Sequence, residues 1–125
     1  MASPRTLLVV EDNDAAREGL AVVLRREGYR VLLAEHGEEA LRHLQTEAGP
    51  DLVLLDMLMP VLDGWHLLAR LWQNEPLVPI IITTGSIVTR EWALEHGCRG
   101  FLRKPIEAEL LLEEVRRCLA DAASE

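Results

Sequence analysis

Apolar residues run along this chain in two alternating rhythms. Short unbroken runs, Leu7–Val10 (LLVV), Val31–Ala34 (VLLA), Leu52–Leu55 closing on Asp56, Ile80–Thr84 (IIITT) and Gly100–Leu102, read as strands. Between them the apolar positions take helical spacing. Ala16, Leu20, Val23 and Leu24 fall at i, i+4, i+7 and i+8, and Gly28 ends that helix. Ala40, Leu41 and Leu44 follow Gly37 and stop before Gly49-Pro50. Leu67, Leu68, Leu71 and Trp72 make a third stripe, residues 87–96 a weaker fourth ended by Gly97, and Leu111, Val115, Cys118 and Leu119 a fifth. The polar tail from Asp121 is expected to fray.

The pattern predicts five βα units of about 25 residues each. The strands are continuously apolar rather than alternating, as in strands buried on both faces. That implies an α/β fold, a parallel sheet with helices on both sides. Neither linker nor low-complexity segment interrupts it, so residues 1–125 read as a single domain.

Composition narrows the functional classes. With 49% hydrophobic residues the chain can bury a real core, and a formal net charge of −8 argues against direct nucleic-acid binding or attachment to a membrane surface by charge. Cys98 and Cys118 sit in no CxxC or His-bearing pattern and read as free thiols of a reducing compartment. Met1–Thr6 is short and polar, with no leader-like apolar segment behind it, and no apolar run approaches a membrane span. A soluble, cytoplasmic protein is expected.

The chemistry lies where the strands end. In open parallel sheets, ligands bind beyond the carboxyl ends of the strands. Glu11 and Asp12 follow the first strand, Asp56 ends the third, Thr84 ends the fourth and Lys104 follows the fifth. Glu35 and His36, after the second, are less suggestive. Three carboxylates on one edge repel one another and call for positive charge. Lys104 supplies some. A hard divalent cation suits the rest, because an all-oxygen set with places left for water fits Mg²⁺ better than Zn²⁺. Asp56 is then a carboxylate nucleophile able to form an acyl phosphate. Cation and Lys104 together neutralise the transferred group, and the Thr84 hydroxyl can bond a phosphoryl oxygen.

These residues, Glu11-Asp12 after LLVV, Asp56 within DMLMPVLDG, Thr84 within IIITTGS and Lys104-Pro105 within GFLRKP, resemble the receiver domain of two-component response regulators, in the manner of the single-domain chemotaxis regulators. The resemblance covers essentially the whole chain. It implies a flavodoxin-like, doubly wound (βα)5 three-layer sandwich with strand order 2-1-3-4-5. It implies Asp56 as phosphoacceptor, Mg²⁺ (with Mn²⁺ as a substitute) on Asp12, Asp56 and the backbone carbonyl of Leu58, and Glu11 acting mostly through a metal-bound water. Lys104 contacts the phosphoryl group, Thr84 and Phe101 form a switch pair, and a cis peptide often precedes the residue at Pro105. The implied phosphodonor is a sensor histidine kinase or histidine phosphotransfer protein. The signal leaves through the face of the fourth helix, fifth strand and fifth helix, to a protein target or a second copy.

Other readings compete on particular residues. A hydrolase turning over an aspartyl phosphate commonly carries a second Asp two residues after the nucleophile. Leu58 stands there and cannot transfer a proton, so the chain is not expected to be a turnover enzyme and its phospho-form is expected to be long-lived. A docking domain that ignores phosphorylation would tolerate loss of the acidic pair, the acceptor or the lysine, and none is lost. A receiver cut from a larger regulator or hybrid kinase fits the same residues. Asp14 and Asp63 read as cap or loop residues, Phe101 equally as plain core, and His36, His43, His66 and His96 are too scattered for a metal site. Trp65 should lie near the acidic edge, Trp72 in the core, and Trp92 on the core or on a docking surface. Arg90, Arg103, Glu113 and Arg117 read as solvated helix charges, with cross-subunit pairing the alternative.

Overall fold

A computed structural model of the chain describes residues 4–46, 49–57, 78–85 and 88–123. Five parallel strands, β1 (Thr6–Val10), β2 (Arg30–Ala34), β3 (Leu52–Asp56), β4 (Ile80–Thr84) and β5 (Gly100–Arg103), form one sheet of order β2-β1-β3-β4-β5. The described helices are α1 (Asp14–Arg26), α2 (Gly37–Leu44), α3 (Arg90–Glu95) and α4 (Ala108–Ala123). The third apolar stripe, with Leu58, Pro60, Asp63, Trp65, His66 and Trp72, lies outside the described residues. The fourth and fifth sequence stripes are α3 and α4 here.

Alternation along buried strands divides the core into two. Leu8, Val10, Val53, Leu55, Ile80, Ile82 and Phe101 face α2 and α3, packing with Ala40, Leu44 and Ala93. Leu7, Val9, Leu52, Leu54, Ile81 and Leu102 face α1 and α4, against Leu24, Leu111, Val115 and Cys118. Strands β1, β3 and β4 therefore carry apolar residues on both faces through their middles, which is the continuous pattern the sequence carries, with buried polar residues only toward the carboxyl ends of β3 and β4. Both cysteines are free and buried, and burial pushes the Cys98 thiol up to about 12.

Local signals set the helix ends. Asn13, not Asp14, caps α1, its side chain accepting from the Ala16 N–H at 2.8 Å. Asp14 sits one residue inside, in the first turn, bonded to Arg17. His36 caps α2 and Thr89 caps α3, each accepting from a backbone N–H. Gly28 and Gly97 hold φ of 99° and 85°, a left-handed turn that ends their helices without a Cβ clash.

Helix α1 is rotated slightly from its apolar stripe. Its buried residues are Arg17, Ala21 and Leu24, while Leu20 and Val23 pack at the margin. Trp92 settles half into the core rather than facing solvent, stacked on His96 with ring centroids 4.1 Å apart. His96 Nδ1 meets the Trp92 carbonyl of its own helix at 2.8 Å, and His43 Nε2 meets the Leu33 carbonyl at 3.0 Å, tying α2 to β2.

Candidate functional site

Because all five strands are parallel, their carboxyl ends share one edge, and the candidate residues stand there. Asp56 is the last residue of β3, paired in register with Thr83 of β4, and is 1% exposed. Glu11 follows β1 and is equally buried. Its backbone N–H donates to the Ala34 carbonyl at 3.0 Å, which ties the loop after β1 to the end of β2. Asp12, next along, is exposed. One carboxylate oxygen from each of Glu11, Asp12 and Asp56 lies within 4.8 Å of the other two.

Lys104 reaches this group from the loop after β5. Its Nζ donates to Glu11 Oε1 at 2.7 Å and stands 3.4 Å from Asp56 Oδ1, so the closer partner is Glu11. Burial would lower the lysine pKa, but the hydrogen bond to Glu11 and the charges of Asp56 and Glu11 outweigh it and raise it above its ordinary value. The Lys104 backbone N–H donates to the Thr84 carbonyl at 2.8 Å, and the Lys104-Pro105 peptide is cis. Thr84 itself is fully buried at the end of β4.

Three carboxylates thus face one ammonium. A hard cation fits this donor set. Oxygens on Mg²⁺ stand about 3 Å apart when adjacent and about 4.2 Å when opposite, given bonds of about 2.1 Å. The cluster's oxygens, all within 4.8 Å of one another, stand close to that range, and no sulfur or imidazole ligand lies among them to favour zinc.

The response regulator receiver domain family matches residues 7–116 of the chain. The chain belongs to that family. This receiver is similar to the transcriptional regulatory protein AfsQ1 of Streptomyces coelicolor, 35% identical over 116 residues that make up 91% of this chain and 51% of AfsQ1. It is similar to GlrR of Escherichia coli at 37% over 122 residues, 96% of this chain and 27% of GlrR. The receiver therefore spans from about half to about a quarter of these two relatives' length. Among solved structures, a CheY-like receiver domain from Methanospirillum hungatei superposes with a TM-score of 0.86 at 27% identity, covering 98% of both chains. A putative response regulator from Chloroflexus aurantiacus gives 0.84 at 38% identity, covering 94% of this chain and 98% of that one.

Of the residues picked out by sequence, the structure brings together Glu11, Asp12, Asp56 and Lys104, with Thr84 on the same edge. Leu58 lies outside the described residues. Phe101 is on the neighbouring strand and buried, its ring centroid 5.8 Å from the Arg90 guanidinium carbon and 5.2 Å from that of Arg103.

Sequence reading missed two groups. The first is Arg17, 7% exposed, whose Nη1 donates to the Glu11 carbonyl at 2.9 Å. Its signal was an arginine at i, i+4, i+7 with Ala21 and Leu24, on a face that must be covered. The second is Glu114, whose Oε2 accepts from the Phe101 N–H at 2.8 Å and from Arg90 Nη1 at 3.2 Å, while Arg117 Nη2 lies 3.1 Å from its Oε1. Arg90 and Arg117 therefore pair inside the chain rather than merely solvating helices. Arg103 donates to the Val88 carbonyl at 2.8 Å.

Proposed function

We propose that this receiver is phosphorylated on Asp56 and signals by the resulting change of charge. The observation that carries the reading is one buried, nucleophilic carboxylate set among Glu11, Asp12 and Lys104 at the carboxyl edge of a parallel sheet. Asp12 and Asp56, with the Leu58 carbonyl, would hold Mg²⁺, and Glu11 would hold one of its waters. When bound, the ion would neutralise charge on the transferred phosphoryl group and orient it.

The chain's own residues account for the rest. An Asp56 oxygen attacks the phosphorus of a phosphohistidine. The O–P bond forms as the N–P bond breaks, and the imidazole leaves with its electron pair and takes up a proton. Lys104 Nζ, held by Glu11 beforehand, shifts toward the phosphoryl oxygens as they gain charge on Asp56. The new group brings roughly −1.5 to −2 of charge. The Thr84 hydroxyl turns toward it, and Phe101 repacks behind Thr84, altering the face of α3, β5 and α4. The donor is a sensor histidine kinase or histidine phosphotransfer protein, and a protein target or a second copy reads the face. The names of AfsQ1 and GlrR support an output in gene control. In this reading residues 1–125 are one receiver domain that works in the cytoplasm and catalyses no turnover beyond its own phosphorylation and slow dephosphorylation. Among the described residues no helix is long and apolar enough to cross a membrane.

Intact mass after incubation with acetyl phosphate tests the reading. A single phosphoryl adduct is expected on wild type with Mg²⁺, and none with EDTA or on Asp56→Asn. An adduct that survives Asp56→Asn, or no adduct on Mg²⁺-loaded wild type, overturns it.

A further inference from the structure

Arg17 stands out as a buried arginine that touches no candidate reacting group. Its guanidinium instead spans the base of the acidic loop. Nη1 donates to the Glu11 carbonyl at 2.9 Å, Nη2 bonds Asp14, and Glu35 Oε1 lies 3.6 Å from the same nitrogen. The Glu11 carbonyl belongs to the peptide that joins Glu11 to Asp12. Its direction fixes the plane of that peptide, and hence where the Asp12 side chain begins. Glu11 is already held at its N–H by the Ala34 carbonyl and at its carboxylate by Lys104 and the Asn13 N–H. The bond from Arg17 holds the remaining polar group. Asp12, which is exposed, inherits its position from this pinned neighbour.

We propose that Arg17 is a positioning residue for the cation site: it locks the Glu11–Asp12 peptide so that the Asp12 carboxylate is presented beside Asp56 before any ion arrives. The inference rests on the receiver reading. Geometry, not charge, is the mode of action, because the guanidinium is matched by Asp14 and Glu35 on its outer side. The two modes have opposite signs. Removing a nearby cation by electrostatics alone strengthens Mg²⁺ binding, whereas removing a brace weakens it.

The experiment is a calorimetric titration of Mg²⁺ into wild type, Arg17→Met and Arg17→Lys. Folding is checked by circular dichroism, and the acetyl phosphate rate is measured at low and at saturating Mg²⁺. Arg17→Met keeps the aliphatic stem and loses every donor. Its Kd for Mg²⁺ is expected to rise about tenfold. Its phosphorylation rate is expected to fall at low Mg²⁺ and return to within about twofold of wild type at saturation. Arg17→Lys, which can reach the Glu11 carbonyl or Asp14 but not both, should fall between, and it carries the same criterion if the Met variant does not fold. Glu114→Gln, destabilised far from the site, should bind Mg²⁺ like wild type, and a weakened affinity there would assign the Arg17 effect to general loosening and overturn the proposal. An unchanged or tighter Kd in folded Arg17 variants overturns it as well. Wild type that binds Mg²⁺ yet takes no phosphoryl group overturns the receiver reading while the metal titration still judges Arg17. Wild type that binds no Mg²⁺ overturns both.

Discussion

Two carboxylate clusters of this receiver meet cations, and they answer to opposite demands. Glu114 lies on α4 at the outer edge of β5, an edge strand whose unpaired backbone must be covered. Its carboxylate takes the Phe101 N–H, Arg90 takes the Phe101 carbonyl at 3.1 Å, and Arg90 and Arg117 pair with Glu114. One acid meets two bases and a backbone group, and nothing further is required. At the carboxyl edge, among the described residues, three acids meet one lysine. The same chemistry closes a structure in one place and leaves a demand for positive charge in the other. The two clusters stand on different strands, Glu114 against the edge strand β5 and the acidic group at the ends of β1 and β3, with β4 between.

The comparison is broken most sharply at Glu114. Glu114→Ala should lower stability by roughly 3 kcal/mol, since a charge-assisted bond is lost and the Phe101 N–H and two guanidinium groups lose their acceptor. Thermal denaturation should show a fall of about 10 °C, with the Mg²⁺ affinity of the folded protein unchanged. The acidic edge should behave in reverse. Mg²⁺ at a hundred times its Kd should stabilise wild type by about 2.7 kcal/mol. Asp12→Asn should abolish that gain, yet raise metal-free stability by roughly 0.5–1 kcal/mol by relieving repulsion. Paired melts with Mg²⁺ and with EDTA check both halves.

A smaller effect sharpens the packing side. A Cβ at Gly100 would meet Cys118 Sγ and Ile81 Cγ1, each at 2.9 Å, and Glu114 Oε2 at 3.0 Å. Gly100→Ala should cost about 1–2 kcal/mol in a urea melt, partly recovered when combined with Cys118→Ala. The smallest effect is in pH. Burial would raise the Glu114 pKa, but the Phe101 N–H bond and the Arg117 and Arg90 charges hold it below its ordinary 4.5. Its contribution is therefore present above 4.5 and lost as pH falls through the depressed value, so Glu114→Gln should flatten the acid limb of stability. Lys104 is raised, so its contribution is present below its ordinary 10.5 and lost as pH climbs through the higher folded value. Lys104→Met should flatten the alkaline limb alone. Denaturant midpoints measured across pH separate the two.

Much of this was legible because it is repetitive or local. Strands buried on both faces carry unbroken apolar runs, so β1, β3 and β4 could be read directly from the chain and their carboxyl ends from where the runs stop. Once the sheet is parallel, strand ends share an edge, and Glu11, Asp12, Asp56, Thr84 and Lys104 converge without any knowledge of side-chain geometry. Asn13 was the harder case. Four polar residues in a row offer several caps, and the extended backbone at Asn13, φ −81° and ψ 120°, with its side chain on the Ala16 N–H, selects it over Asp14.

The sequence by itself determined the layered architecture and which residue types gather at the carboxyl edge of the sheet, since periodicity and residue order suffice for both. Tertiary structure alone decided how charges were shared. Lys104 is closer to Glu11 than to Asp56, Arg17 turns inward to a carbonyl, and Glu114 rather than Glu113 receives Arg90 and Arg117. Each choice depends on distances of a few Å between residues as many as 93 positions apart. Coulomb and hydrogen-bond energies fall steeply over such distances. One-dimensional spacing cannot resolve them, and packing does.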